Sequence, residues 1–359
     1  MKMKKILIFL VIIFMFSAIN VYAQSMSKYG YPSNYHPSKK TTTTSNSGYP
    51  VSQKQNNNQN YSNINPAILS VNNMLSISFS DLGLNYGEYN DGSVASINNK
   101  YLDTNNGSIK GFNISGSNTY YNWYTNVNFS YYTGNDTYSG YIPSYSGTLQ
   151  NPQIIISPLT QTSSSKIYNF NLKIGYMFPI TNKFVLTPYG MIGWHIWDRG
   201  DNTIQYAHYS NLLAMVGILA QYAIAPELVG NVDLGYGTTF DAKAKENHNM
   251  SGGALYCQNT VSSCNPFLIG EDTITFNLGS KAIYNLSAGL DYRFNNNFHI
   301  FGNVNYERFE YGQSSTVYLT PTNIYNNDGV LVNKLPNNYT EPNSVTNEII
   351  YSIGIGYSF

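Results

Sequence analysis

The last eleven residues alternate without a break. Ile349, Tyr351, Ile353, Ile355, Tyr357 and Phe359 are apolar, while the intervening Ile350, Ser352, Gly354, Gly356 and Ser358 are mostly small or polar. Successive side chains of a strand point to opposite faces, so this stretch predicts a strand with one apolar and one polar face. The same period recurs upstream. Tyr168, Phe170, Leu172, Ile174, Tyr176 and Phe178 oppose Asn169, Asn171, Lys173 and Gly175. Leu228, Val232, Leu234, Tyr236 and Phe240 oppose Asn231, Asp233, Gly235 and Gly237, and Tyr284, Leu286, Ala288, Leu290, Tyr292 and Phe294 oppose Asn285, Ser287, Asp291 and Arg293. Trp123 to Tyr131 is nearly as regular.

Other segments are less regular. A first strand from Met74 changes phase between Phe79 and Leu82, which predicts a β-bulge or a later start. Residues 184–197 are apolar on both phases. Residues 211–223 place Leu213, Met215 and Leu219 on the otherwise polar face, and their length fits a spanning strand.

The connections set the topology. Short links near residues 118–122, 180–183, 223–227 and 295–297 alternate with long ones near 90–106, 133–165, 198–209, 242–280 and 312–346. Strict alternation of short turns and long loops is expected of an antiparallel up-and-down transmembrane β-barrel. The count is about ten strands, with eight or twelve also compatible. Aromatic residues gather at strand ends and predict two girdles. One contains Tyr176, Phe178, Phe294, Phe298, Tyr357 and Phe359, the other Trp194, Trp197, Tyr236, Phe240 and Tyr306.

Residues 1–23 read as a signal peptide: Lys2, Lys4 and Lys5, then an apolar core from Ile6 to Phe16, then Val21-Tyr22-Ala23 as a cleavage site. Residues 24–70 form a low-complexity stretch rich in Ser, Thr, Asn and Tyr, with lysines and no acid over most of its length. Such a composition predicts a disordered periplasmic tail. The barrel then occupies residues 71–359.

Composition narrows the classes. Only 11% of residues are charged, against about 25% in soluble domains, and 34 are Tyr. Mean hydropathy is −0.28, which excludes a bundle of apolar spanning helices. Nineteen basic residues balance nineteen acidic ones, which gives no general affinity for nucleic acid. Two cysteines are too few for a zinc module or a disulfide-rich scaffold.

The terminal Phe359, preceded by Tyr351, Ile353, Ile355 and Tyr357, resembles the C-terminal signature of Gram-negative outer-membrane barrels, where it is the signal read by the barrel-assembly machinery. With the signal peptide and the strand pattern, the chain resembles the small outer-membrane barrels of the opacity and OmpA type. The resemblance is architectural and covers the signal peptide and residues 74–359. It implies an outer-membrane location with lipid and lipopolysaccharide as neighbours, a monomer, and loops exposed outside the cell. It implies no particular activity.

Candidate chemistry is sparse. Lys173 with Asp233, and Asp291 with Arg293, face inward at matching depths and predict charge pairs that plug the interior. A barrel of about eight strands is just filled by its side chains, and ten leave little more, so a general porin is excluded while a narrow solute or ion path remains an alternative. Glu307 and Glu348 lie at comparable heights and could form a carboxylate pair; the adjacent Arg308 favours a structural salt bridge instead. His195, Asp198 and Asp201 lie near one loop, but no Asp-x-His occurs. His208 and Ser210 could contribute to a hydrolase only with an acid. The chain is therefore not expected to be an enzyme, and rim catalysis by a protease or lipid hydrolase stands as a second alternative. No cofactor or metal is expected: Cys257 and Cys264 have only His248 nearby, a poor zinc set, and predict an intramolecular disulfide in the longest loop. The loops, rich in Asn, Tyr, Ser and Gly, have the composition of adaptable binding surfaces. Adhesion or interaction with an unknown surface ligand is the leading functional reading.

Overall fold

The computed structural model describes residues 63–90, 99–150, 152–200, 206–248, 254–257, 264–268, 272–326 and 328–359. After a short helix α1 (Pro66–Val71) come β1 (Met74–Tyr89), β2 (Tyr101–Tyr120), β3 (Trp123–Gly147), β4 (Pro152–Tyr176), β5 (Phe178–Thr181), β6 (Phe184–Arg199), β7 (Ala207–Ala225) and β8 (Leu228–His248). Then follow β9 (Ala254–Cys257), β10 (Cys264–Leu268), β11 (Asp272–Asn277), β12 (Ala282–Arg293), β13 (Phe298–Tyr311), β14 (Val317–Tyr325), β15 (Leu331–Tyr339) and β16 (Ser344–Ser358).

Ten of these strands close on themselves in the order β1-β2-β3-β4-β6-β7-β8-β12-β13-β16 and back to β1, each antiparallel to its neighbours. β5 continues β4 along β6, and β11 precedes β12 along β8. Closure leaves no edge, so every strand satisfies its backbone within the wall, as a lipid-embedded barrel requires. The chain is a closed ten-stranded antiparallel barrel.

The apolar rows read from sequence face outward. Leu75, Ile77 and Phe79 on β1, Ile192 and Trp194 on β6, Tyr351, Ile353, Ile355 and Tyr357 on β16, and Phe359 directly after it are all exposed. Exposed apolar rows on every wall strand form a belt that only lipid can cover. Short turns join the strands at one end, here the turn end. At the β2–β3 turn, Tyr121 and Asn122 take φ of 47° and 67°, the two left-handed residues of a type I′ hairpin. Long connections lie at the other, the loop end.

Four expectations change. β1 runs in unbroken register past Phe79 and Leu82 on both sides, so no bulge is present there. The phase change has another cause: the strand leaves the belt at Phe79. Above it the outward face becomes polar at Asp81, paired with Lys110, while Leu82, Leu84 and Tyr86 turn inward and are buried. Second, the described residues of the segments expected as long loops fold largely as strand. β3 and β4 stay paired from Trp123↔Tyr176 to Gly147↔Pro152, far beyond the belt. Third, Trp197 is no girdle residue. It falls on the inward phase, is 1% exposed and stacks on Tyr209 with ring centroids 5.4 Å apart. Fourth, the last residues of the segment assigned to the tail form α1.

α1 follows local rules. Asn65 caps it by accepting from Ala67 N at 2.9 Å, Pro66 occupies the first turn, and Ala67 and Ile68 are buried.

Candidate functional site

The barrel interior holds three polar layers, and their composition decides what the barrel can do. At the turn end, α1 is tied to the wall on several sides. Asn65 N donates to Asn182 O at 2.9 Å, and the amides of Asn72 and Gln221 bond reciprocally at 2.8 and 2.9 Å. Ser117 Oγ donates to Val71 O, and Thr119 N to Asn73 Oδ1. On β13, His299 Nδ1 lies 2.5 Å from Asp291 Oδ1, while its Nε2 lies 2.9 Å from Ser70 Oγ and 3.2 Å from Ser358 Oγ. His299 is buried, so this chain of contacts acts as a clasp that holds the helix against β12, β13 and β16.

The middle layer is built on Lys173 and Asp233, which form an ion pair. Tyr189 Oη donates to Asp233 at 2.5 Å, and the Lys173 ammonium sits 4.6 Å from the centroid of the Tyr189 ring. The ring can lie there because Gly217 and Gly235, opposite each other on β7 and β8, present no side chain; a Cβ on Gly217 would collide with the Tyr189 hydroxyl. Leu213, Met215 and Leu219 project into the same region and are buried, on the inward phase read from the sequence. Glu307 and Glu348 are direct cross-strand partners.

The loop-end layer surrounds Arg199. Its guanidinium lies 3.2 Å from Glu88 and 3.4 Å from Asp103, among the rings of Tyr86, Tyr209 and Trp197 at 5.3, 5.4 and 5.9 Å. Tyr86 donates to Glu88 at 2.8 Å and Tyr209 to Glu341 at 2.7 Å. Asp136 accepts from Asn105 at 2.7 Å and from Ser165, and Trp197 Nε1 donates to Ser165 at 2.9 Å. Burial pushes the Asp103 carboxyl well above the usual carboxylate range; the Glu88 charge adds to this and Arg199 opposes it. Burial likewise raises Glu341, with the Glu246 and Glu88 charges adding to it. For Arg199, burial would lower the value, but Tyr209, Asp103 and Glu88 outweigh it and hold the guanidinium charged. Several acids thus share one cation in a dry setting.

The sequence-derived residues distribute unevenly over these layers. Lys173 and Asp233 meet as paired. Asp291 and Arg293 do not: Asp291 takes His299, and Arg293, the last residue of β12, donates to Pro226 O at 3.2 Å at the exposed turn end. Arg308 does not bridge Glu307. It occupies the outward phase and bonds Glu310 at 2.7 Å. His195 faces Asn169 at 2.7 Å inside the barrel, whereas Asp198 faces outward and takes His208 at 2.5 Å, so His195 and Asp198 form no pair; Asp201 lies outside the described residues. Cys257 and Cys264 are direct partners in the β9–β10 pairing. Ser70, His299 and the Arg199 cluster carry no sequence signal, since each depends on strands far apart in the chain.

At the loop end, β9, β10, β14 and β15 form a separate four-stranded sheet in the order β10-β9-β14-β15, with β14 parallel to β9. It joins the β8–β12 connection to the β13–β16 connection. Asn333 Nδ2 donates to Leu149 O at 3.3 Å, which ties β15 to the segment joining β3 and β4. Three connections are therefore locked together.

No protein-family model matches the chain, and no curated protein does. Among solved structures, the chain is similar to the outer membrane protease OmpT from Escherichia coli at 11% identity and a TM-score of 0.46, covering 80% of this chain and 97% of that one. It is similar to Ail, the attachment invasion locus protein of Yersinia pestis, at 13% identity and a TM-score of 0.27, covering 80% and 99%. It is also similar to the Ralstonia pickettii toluene transporter TbuX, at 9% identity and a TM-score of 0.31, covering 82% and 92%.

Proposed function

We propose that the chain is a non-catalytic surface protein of the outer membrane, which uses its loop end as a rigid platform to bind a macromolecular surface outside the cell. The observation that carries this reading is the order of the long connections. β3 and β4 pair over 25 residues each, whereas a belt-spanning strand needs about ten, so the hairpin continues roughly 50 Å along the strand past the belt. The four-stranded sheet and the Asn333 bond brace the neighbouring connections. A preordered surface loses less conformational entropy on binding than a loose loop. Exposed Tyr318, and Tyr89 and Tyr101 with Lys100 over both rings, supply aromatic contact area.

In this reading the turn end and the tail face the periplasm, residues 1–23 are removed on export, and the barrel acts as a monomer. Lys110, Lys166 and Lys243 stand outside the barrel at the loop-side edge of the belt, where the phosphates of lipopolysaccharide would meet them. The outward row from Tyr351 to Phe359 is the surface offered to the barrel-assembly machinery.

Bacteria displaying the protein should adhere to one or more of a panel of immobilised matrix proteins and glycans. Trimming residues 134–165 to a two-residue turn should abolish that adhesion while heat-modifiable gel migration still reports a folded barrel. Equal adhesion of displaying and non-displaying cells would overturn the reading.

A further inference from the structure

Two carboxylates stand side by side in the barrel without a cation between them. Glu307 on β13 and Glu348 on β16 are direct cross-strand partners and both belong to inward rows. Glu348 is 1% exposed, and its Oε1 has no hydrogen-bond partner. The Thr346 hydroxyl, two residues along the same inward row, is equally buried and equally unpartnered. His195 approaches from β6. Its ring lies 5.1 Å from that of Phe309, the cross-strand partner of Thr346, and its Nε2 is also unpartnered. Buried polar groups from different walls thus reach the same level of the interior. Glu307 is only half-buried although it faces inward, so open space adjoins it.

Charge is unbalanced at this level. The cation acting on Glu307 is Lys173, which is already bonded to Asp233. Arg308 is turned outward to Glu310. Asp233 and Glu307 therefore share one ammonium, and the charged group acting on Glu348 is Glu307, so two carboxyls have no counter-charge of their own. Like charges directly opposite each other destabilise a strand pair, and a buried carboxylate without a counter-charge is costly. The available donors are carboxylate and hydroxyl oxygens, the ligand set of a hard divalent cation. Among the described residues, no three His, Cys, Asp or Glu side chains converge on a common metal position. Two carboxyls and a hydroxyl are an oxygen-only set, which suits a hard cation that completes its shell with water.

We propose that Glu307, Glu348 and Thr346 form a binding site for one calcium or magnesium ion, which neutralises the interior and ties β13 to β16. The competing state has the two carboxyls sharing protons, and it responds to neither ion.

The test uses full-length protein refolded in detergent without lipopolysaccharide and treated with EDTA. Melting is followed by tyrosine and tryptophan fluorescence while calcium or magnesium chloride is added, and bound calcium is counted by equilibrium dialysis. The wild type should bind one ion per barrel, and its Tm should rise by about 5 °C or more at a hundredfold excess over Kd. Glu348→Gln and Glu307→Gln should each lose most of that rise. Asp81→Asn, which removes an exposed pair on the outer wall, should keep it. No rise in the wild type, or an equal rise in Glu348→Gln, would overturn the proposal. If neither glutamine variant folds, the wild-type stoichiometry decides: a count of zero overturns it.

Discussion

His299 Nδ1 lies 2.5 Å from Asp291 Oδ1, and through the opposite ring nitrogen the same histidine holds Ser70 of α1. One imidazole therefore couples two wall strands to the helix across the turn end. Replacing it by alanine leaves the Asp291 carboxylate buried without its partner and removes one of the two side-chain contacts of Ser70, whose hydroxyl keeps its bond to Ser358 Oγ at 3.0 Å, at a cost of about 2–3 kcal/mol. His299→Ala should make backbone amides of residues 67–73 exchange with solvent much faster, while amides of β3 and β4 keep their protection. Hydrogen exchange by mass spectrometry reads both. Unchanged exchange in α1 would show that the other ties, from Asn65, Ser70, Val71, Asn72 and Asn73 to the wall, hold the helix without His299.

The Arg199 layer predicts a pH dependence with a definite sign. Asp103 and Glu341 are both raised above their ordinary values of 3.8 and 4.5, first by burial and then by neighbouring carboxylates. A group whose folded-state value is raised contributes stability that is full below its ordinary value and is lost as pH rises through the folded value. Arg199 stays charged throughout, and Glu88 and Glu246 face the same cluster. The loop end should therefore be more ordered near pH 4 than near pH 8. Fluorescence of Trp197, which sits inside the cluster, should report the melting of this layer. Asp103→Asn should flatten the dependence by removing one of the titrating groups, with Glu341 and Asp136, whose carboxyl burial also raises, remaining.

What the sequence reveals of the fold depends on which signals are local. The period-2 rows around Tyr168, Tyr284 and Tyr351 depend only on strand parity, and they placed the lipid-facing belt and the inward Lys173 and Asp233 where the structure has them. Parity also carries the information for Trp197, whose inward phase outweighs the tendency of aromatic residues near strand ends to form a girdle. The phase change after Phe79 predicts a bulge or a later start only if the pattern describes lipid contact along the whole strand. Above the belt, the same alternation reverses its meaning: apolar residues pack inward and polar ones meet water. Pairings between distant strands, such as Asp291 with His299 or Arg199 with Glu88 and Asp103, depend on the closed register and have no local mark. The helix α1 was hidden by its length, since six residues beside a low-complexity stretch show no helical period.

Interior packing predicts the electrical behaviour. Lys173, Asp233 and Tyr189 fill the middle of the barrel, and Leu213, Met215 and Leu219 crowd the same region. Purified protein in planar bilayers should show no conductance steps or only small ones. Removing both charges together, in Lys173→Ala with Asp233→Ala, should raise the step size. Conductance of the wild type at the level of a general porin would contradict a filled interior.

Cys257 and Cys264 face each other across β9 and β10. Directly opposite residues of an antiparallel pair have Cα atoms about 4.5–5.5 Å apart, a separation within the range a disulfide spans. Closing the short ring between them contributes roughly 2.5 kcal/mol on the loop-entropy estimate, an amount that strain could remove. That energy acts on β9, β10 and the sheet they share with β14 and β15, and not on the barrel, whose hydrogen-bond ring is closed independently. Protein from oxidising growth should therefore resist alkylation at both cysteines, as read by intact mass. Reduction should leave the barrel's Tm nearly unchanged and make residues 249–271 more sensitive to protease added outside cells. Two alkylated thiols in unreduced protein would end the disulfide assignment. A large fall in Tm on reduction would instead show that the loop-end sheet and the barrel unfold as one unit.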